Sequence, residues 1–233
     1  MIDFKRHCFM KKYYSLTVCL FVALSSFIVS CGGGEKKTGL YNGHEYVDLG
    51  LPSGIKWATY NVGATKPEDY GGYYAWGETE EKNDYSWSTY KWCNDSYDRQ
   101  TKYCTSSSYG TVDNKTTLDP EDDVAHVKWG GTWRMPTKAE QDELCNNCTW
   151  IWATQNGVNG YKVTSKSNGN SIFLPAAGRR SGTRLYHSGS YGGCWSSSLY
   201  GSSSAYYLYL YSGLYDWSYY GCCYGFSVRP VSE

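Results

Sequence analysis

The sequence predicts an α+β fold of short strands, two short helices and long loops. Short runs rich in Tyr, Val, Ile and Trp alternate with Gly and Pro along most of the chain, which is typical of short strands separated by turns. The predicted strands cover 45–50, 55–60, 73–76, 161–164, 171–174, 206–212 and 225–231. Residues 80–118 are polar and lack periodicity, so they predict a long surface insert.

The two helices are predicted from their first turns. Asp119 is expected to cap the first, with Pro120 at its first position and Gly130-Gly131 at its end. The acids at 121–123 would lie in the first turn, where the positive end of the helix dipole stabilises carboxylates. This position explains the three acids more simply than a calcium site does. Thr137 and Glu140 form a capping box that opens a second helix over 138–147.

The segment 207–211 alternates tyrosine and leucine. Because side chains on a strand alternate between faces, Leu208 and Leu210 should point together toward a core, with the tyrosines on the other face. An aromatic outer face is either packed by a neighbour or offered to a ligand.

The first residues read as an export signal. A basic stretch at 10–12 precedes an apolar run at 16–29, which is shorter than the roughly 20 residues of a spanning helix. The sequence Ile28-Val29-Ser30-Cys31 resembles a lipobox, which makes 1–30 a lipoprotein signal peptide, with Met10 the expected start, and Cys31 the lipidated residue. Residues 31–43 then predict a flexible tether. A plain secretory signal is the alternative.

Composition limits the function classes. The formal net charge is zero, so no electrostatic case exists for nucleic acid, and membrane contact is expected only through the lipid. The chain has 25 Tyr and 10 Trp against 6 Phe, and Tyr and Trp are favoured where a soluble protein contacts a ligand.

Seven of the ten cysteines follow Cys31, an odd number that leaves at least one thiol unpaired within the chain. Cys93 and Cys104 bracket a turn-rich insert and are the disulfide candidate. Cys145 and Cys148 lack a second pair at zinc spacing, so neither a metal nor another cofactor is expected.

Motifs spread over the chain resemble the Fibrobacter succinogenes major paralogous domain family of Bacteroidetes and Fibrobacter. They are YVDLGLPSG at 46–54, WAT at 57–59 with NVGA at 61–64, YAWGE at 74–78, WRMPT at 133–137, LPAAG at 174–178, WSSS at 195–198 and GFSVRPV at 225–231. The resemblance implies a single C-type-lectin-like domain over 44–233, with small twisted antiparallel sheets, of the kind shared with formylglycine-generating enzymes. WRMPT, WSS and the closing motif are interpreted as scaffold.

The segment 179–224 is the candidate variable binding region. It contains no Lys and one acid, Asp216, and is dominated by Tyr, Ser and Gly, as antibody paratopes are. It resembles the variable region of retroelement-diversified proteins, although an ordinary Tyr-rich tail is an open alternative. The predicted ligand-binding residues are Arg180, Arg184, Tyr186, His187, Tyr191, Tyr200, Tyr206, Tyr215, Asp216, Tyr219, Tyr220 and Tyr224.

The sequence favours a ligand-binding lipoprotein of the outer membrane or cell surface over an enzyme. His44, His126 and His187 have no motif neighbours, and the carboxylate pairs 80–81 and 122–123 show no sign of apolar burial. The tripeptides of calcium-dependent sugar binding are absent, so a protein is preferred to a glycan as ligand. The alternatives are a passive structural or adhesin-like lipoprotein and a degenerate formylglycine-generating-enzyme-like oxidase.

Overall fold

A computed structural model describes residues 38–233, in which small antiparallel sheets predominate over two short helices. This content is consistent with the predicted α+β class and also with a mostly β one. The strands are β1 (Thr38–Tyr41), β2 (His44–Asp48), β3 (Lys56–Ala58), β4 (Cys148–Gln155), β5 (Val158–Ser165), β6 (Ser171–Pro175), β7 (Arg179–Ser181), β8 (Arg184–Tyr186), β9 (Tyr191–Gly201), β10 (Ser204–Tyr211), β11 (Leu214–Gly221) and β12 (Val231–Ser232). The helices are α1 (Val124–Trp129) and α2 (Lys138–Asn147), with 3₁₀ turns at Trp87–Thr89 and Pro120–Asp122.

The strands form three sheets and a hairpin. The sheet orders are β1-β2-β3-β12, β4-β5-β6 and β11-β10-β9, and β7 pairs with β8. Every pairing between these strands is antiparallel. β12 lies beside β3, so the closing residues of the described chain complete the first sheet.

The prediction of a flexible tether over 31–43 is wrong for its last residues. Thr38–Tyr41 form β1, which pairs with β2 from Thr38 opposite Val47 to Tyr41 opposite His44. Asn42 and Gly43 have φ of 45° and 81°, the positive values that a tight two-residue hairpin turn requires. The Asn-Gly pair therefore folds the preceding residues back onto β2.

The second helix is confirmed at its predicted bounds. α2 covers Lys138–Asn147, and the Thr137 side chain accepts a hydrogen bond from the Glu140 backbone N–H. The Glu140 carboxylate accepts from the Thr137 N–H at 2.8 Å, which completes the capping box. Arg134 adds two bonds to the same carboxylate, at 2.6 and 2.8 Å.

The first helix begins later than predicted. Asp119 precedes a 3₁₀ turn and makes no side-chain capping bond. Asp123 caps α1, since its Oδ1 accepts from Ala125 and His126 and its Oδ2 accepts from the Met135 N–H. That last bond, at 2.8 Å, joins the helix start to the segment leading into α2. The helix ends at Gly130, as predicted.

Segment 225–231 was predicted as a strand, but only its last residue enters one. Phe226 makes a single bridge to Tyr74, and Gly225 makes one to Arg180. Phe226 and Val228 are fully buried, as expected for scaffold residues. Trp133 and Trp195, also predicted as scaffold, are equally buried.

Arg229 lies wholly inside the protein and ties three segments together. Its guanidinium donates to the Asn61 side chain at 2.8 Å, to the Ala58 and Thr59 carbonyls, and to the Phe173 carbonyl of β6 at 2.9 Å. Burial lowers the pKa of Arg229 to about 10, which still leaves the group charged at neutral pH.

The insert at 80–118 is not confined to the surface. Tyr85, Tyr90 and Tyr103 of this segment are buried in the main core. The hydroxyls of Tyr85 and Tyr90 donate to the Tyr73 and Trp76 carbonyls. Each tyrosine thus anchors a loop by its ring and satisfies its own polar group.

The predicted disulfide between Cys93 and Cys104 is not formed. Both are free, buried thiols. The Cys93 thiol donates to the Trp87 carbonyl and the Cys104 thiol to the Ser106 carbonyl, each at 3.1 Å. The two thiols are thus held by carbonyls of their own loops.

The signal peptide, Met10 and Cys31 lie outside the described residues. Within 38–233, no helix has the length and apolar character needed to cross a bilayer.

Candidate ligand-binding surface

The sheet β11-β10-β9 carries seven of the twelve predicted binding residues. A turn at Ser212-Gly213 joins β10 to β11, and β11 forms the sheet edge. Leu208 stands opposite Trp217 and Tyr209 opposite Asp216. Because paired residues share a face, the aromatic residues of this segment are divided between two faces.

One face packs against α2. Leu208 and Leu210 are buried together with Cys194 of β9 and Leu144 of α2. The Gln141 side chain of α2 donates to the Cys194 carbonyl at 3.1 Å. The prediction that both leucines face a core is confirmed.

Beside this core the same face carries a cluster of partly or largely exposed rings, here called the hairpin patch: Tyr200, Tyr206, Trp217 and Tyr219. Tyr200 stacks on Tyr219 with centroids 3.7 Å apart, and Tyr206 meets Tyr200 and Trp217 edge-on at 5.2 and 5.5 Å. Tyr200, Trp217 and Tyr219 are 46%, 40% and 48% exposed, so these rings order one another without entering the core.

A lysine of α2 borders the hairpin patch. The Lys138 ammonium lies 4.3 Å from the Trp217 ring centroid and 5.8 Å from that of Tyr206. It also pairs with Asp142 at 2.6 Å. The patch thus has a polar rim around an aromatic centre, as protein interfaces do.

Tyr215 lies on the same face but is committed to packing. Its ring stacks on Trp150 of β4 at 4.5 Å, with an interplanar angle of 11°, and meets Tyr161 edge-on. These contacts join β11 to the sheet β4-β5-β6. Tyr215 is half-buried there, which weakens its assignment as a ligand contact.

The opposite face of the sheet covers the main core. Tyr207 stacks on Phe226 at 4.7 Å. Tyr191, predicted as a ligand contact, is buried instead, and its hydroxyl donates to that of Tyr207 at 3.1 Å. Tyr191 begins β9 on this face, so it can contact a ligand only where its side chain lines the cavity described next.

A recess opens at the margin of this face, here called the arginine recess. Its cavity has a volume of about 330 Å³. The Arg179 guanidinium lies 4.9 Å from the Tyr220 ring centroid and 5.8 Å from that of Tyr186. Tyr220 packs edge-on against Tyr224 at 4.5 Å. The cavity is lined by Arg179, His187, Ser190, Tyr191, Tyr209 and Tyr211.

The charged residues predicted as ligand contacts are scattered. Arg180 lies 5.3 Å from the Tyr73 ring centroid and lines a separate cavity with Glu81 and Lys82. Arg184 and Asp216 are exposed. The Asp216 carboxylate accepts from the Trp217 backbone N–H at 2.8 Å. The twelve predicted residues therefore do not form one site.

The three cysteines of segment 179–224 are packed inside the protein. Cys194, Cys222 and Cys223 are each at most 3% exposed. Cys222 and Cys223 lie in the turn after β11, not on a strand, and both enter the main core. Burial raises the pKa of all three thiols, so they are inert, packed residues.

The buried acids near α1 correct a further expectation. Asp122 and Asp123 are both buried, although no apolar burial was expected for this pair. Lys102 bonds Asp119 and Asp122, each at 2.6 Å. The oxygens of Asp119, Glu121 and Asp122 lie close enough to hold a metal, but the ammonium groups of Lys102, Lys115 and Lys91 already pair with Asp119 and Asp122. Burial raises the pKa of Asp123 despite its three backbone donors.

Sequence reasoning missed six residues of these surfaces: Trp217, Lys138, Arg179, Ser190, Tyr209 and Tyr211. The turn signal Ser212-Gly213 between two alternating segments could have placed Trp217 beside Tyr206. No local pattern links Arg179 to Tyr220 or Lys138 to Trp217, since each pair meets only through tertiary packing.

Comparisons with known proteins give no relative. No family model matches the chain, and the searches of curated proteins and of solved structures found no match. The class that fold and surface define is a small protein of antiparallel sheets and two short helices with an exposed aromatic hairpin.

Proposed function

We propose that the protein is a cell-envelope lipoprotein, anchored through Cys31, that binds a protein ligand through the hairpin patch. The observation that carries this proposal is the cluster of Tyr200, Tyr206, Trp217 and Tyr219 at an edge hairpin. These rings are partly or largely exposed and do not contribute to either hydrophobic core. A role in folding therefore does not account for them.

The physics of the patch favours recognition of a protein. Tyr and Trp provide large contact areas with few rotatable bonds, and they dominate interface hot spots. The stack of Tyr200 on Tyr219 orders both rings before a ligand arrives, so little side-chain entropy is lost on binding. Edge strand β11 also presents unpaired backbone groups beside the rings.

The proposal includes a C-type-lectin-like fold and a diversified surface. Small antiparallel sheets, two short helices and loops anchored by buried tyrosines support the fold. Diversification is compatible with exposed positions such as Arg184, His187, Tyr200 and Tyr219. We expect sibling isolates to differ at the exposed codons of this set, with a template copy and a reverse transcriptase gene nearby. Variation spread evenly along the gene would contradict diversification.

The test is binding of the full chain, in detergent, to arrayed surface proteins of host and bacterial cells. Exchanging both Tyr200 and Tyr219 for Ala should weaken binding about 100-fold or more, since two hot-spot rings are removed. The matched control is the double exchange Tyr97→Ala and Tyr109→Ala, which removes an exposed tyrosine pair with centroids 6.2 Å apart in another loop. The control should bind as the wild type does.

Two outcomes would count against the proposal. Equal loss in both double variants would show that the hairpin patch is not the binding surface. If no arrayed protein is retained by the wild type, the passive structural alternative is favoured.

A further inference from the structure

Arg179 is a cation without a counter-ion. Among residues 38–233 no carboxylate oxygen lies within 4.0 Å of its guanidinium. Its Nε is buried and has no hydrogen-bond partner in this part of the chain. A buried donor left unpaired costs about 1–3 kcal/mol, so this arrangement needs a compensating interaction.

Aromatic rings hold the guanidinium in place. The rings of Tyr220 and Tyr186 lie 4.9 and 5.8 Å from Arg179 Cζ, within the range of cation–π attraction. These contacts fix the planar group but use none of its N–H donors. The two terminal nitrogens, which unlike Nε are not buried, remain available as donors at the margin of a cavity of about 330 Å³.

The segment that lines the recess has a net positive charge. Segment 179–224 contains three arginines against the single acid Asp216. By register Asp216 stands opposite Tyr209, near the recess, but its carboxylate is bonded to the Trp217 backbone N–H. An anion entering the recess thus meets an unpaired arginine and few competing acids.

We infer that the arginine recess binds a carboxylate-bearing sugar residue. A carboxylate matches the guanidinium fork and can accept two parallel hydrogen bonds from it. The cavity volume is at the lower end of small-ligand pockets, which suits one sugar ring. The tyrosine rings offer faces for the sugar C–H groups, and the Ser190, Tyr209 and Tyr211 hydroxyls offer hydrogen bonds to its hydroxyls.

The test uses the full chain and saturation-transfer NMR titrations. The probes are D-glucuronate, D-galacturonate and N-acetylneuraminate, each against its amide or neutral counterpart. At least one acid should bind, roughly tenfold more tightly than its neutral counterpart, and rising salt should weaken it. Failure of all three acids to bind, or equal binding of acid and neutral sugar, would overturn the inference.

Variants assign the binding to the recess. Arg179→Gln should weaken the acidic sugar roughly tenfold or more, and Arg179→Lys should give an intermediate loss because charge remains without the fork. Arg184→Gln is the matched control, since Arg184 lies on the same hairpin, is exposed and does not line the cavity. Equal effects of Arg179→Gln and Arg184→Gln would show that binding depends on overall positive charge and not on the recess, which would contradict the inference.

Two further arms separate this inference from others. The first adds an acidic tetrapeptide as a competitor in the same assay. Better competition than by any acidic sugar, with the same dependence on Arg179, would overturn the sugar assignment and make an acidic peptide the ligand of the recess. The double variant lacking Tyr200 and Tyr219 should still bind the acidic sugar, because the hairpin patch lies on the other face. The experiments can therefore refute sugar binding at the arginine recess while supporting protein binding at the hairpin patch, or the reverse.

Discussion

Replacing Arg229 by Met removes a buried cation while keeping a side chain of comparable length. The guanidinium makes four hydrogen bonds, at 2.8, 3.2, 3.1 and 2.9 Å, to Asn61, Ala58, Thr59 and Phe173. These acceptors belong to β3, to the loop after it and to β6, so one side chain links the first sheet to the sheet β4-β5-β6.

The expected loss of unfolding free energy is about 4 kcal/mol. Hydrogen bonds to a charged group contribute about 1.5–3 kcal/mol each, and these four are not additive. Removing the charge also removes the cost of burying it, which offsets part of the summed hydrogen-bond contributions. The remaining cost is that of orphaned acceptors, at about 1–3 kcal/mol each.

Urea unfolding followed by tryptophan fluorescence measures this loss. Arg99→Met is the matched control, because Arg99 is exposed and surface exchanges usually stay within about 0.5 kcal/mol. If Arg229→Met stays within about 1 kcal/mol of the wild type, Arg229 does not hold the sheets together as the structure implies.

Two further predictions concern the α2 cap and β9. Burial would raise the Glu140 pKa, but the bonds from Arg134 and Thr137 lower it overall, so its stabilisation is present above the unfolded pKa and lost as pH falls through the folded one. Glu140→Gln should therefore cost about 1.5 kcal/mol at neutral pH and much less near pH 3 in urea unfolding, and an equal loss at both pH values would contradict this. Gly193→Ala should cost about 1–3 kcal/mol, since its Cβ would lie 2.4 Å from a Phe226 ring carbon. Gly201→Ala, in the same strand with open space around it, is the control, and similar melting temperatures for the two variants would rule out the packing argument.

Features set by neighbouring residues could be predicted from the sequence. The capping box at Thr137 and the leucine alternation in β10 are both local patterns, and both are confirmed. The Asn42-Gly43 pair is also a local hairpin signal, but the polar composition around it favoured the prediction of a tether. The sequence alone could not predict that Asp123 and not Asp119 caps the helix, because the position of Asp123 depends on its bond with the distant Met135 N–H.

Burial of cysteine and tyrosine in the C-terminal segment could not be predicted from composition. Cys222 and Cys223 occur among Tyr, Ser and Gly residues like those of the exposed surface, yet the turn after β11 directs both into the core. Tyr191 and Tyr200 belong to one strand, and only the register of β9 decides that the first is buried and the second exposed.

The division of the aromatic segment into two faces limits what one ligand can contact. Tyr206 and Trp217 lie on the face that carries the hairpin patch, whereas Tyr209 and Tyr220 lie on the face beside the arginine recess. A ligand on one face is separated from the other by the sheet itself. If codons at both faces vary among isolates, the two surfaces are under separate selection. If only the hairpin codons vary, constancy of the recess would agree with the proposal that it binds an unvarying ligand such as a common acidic sugar.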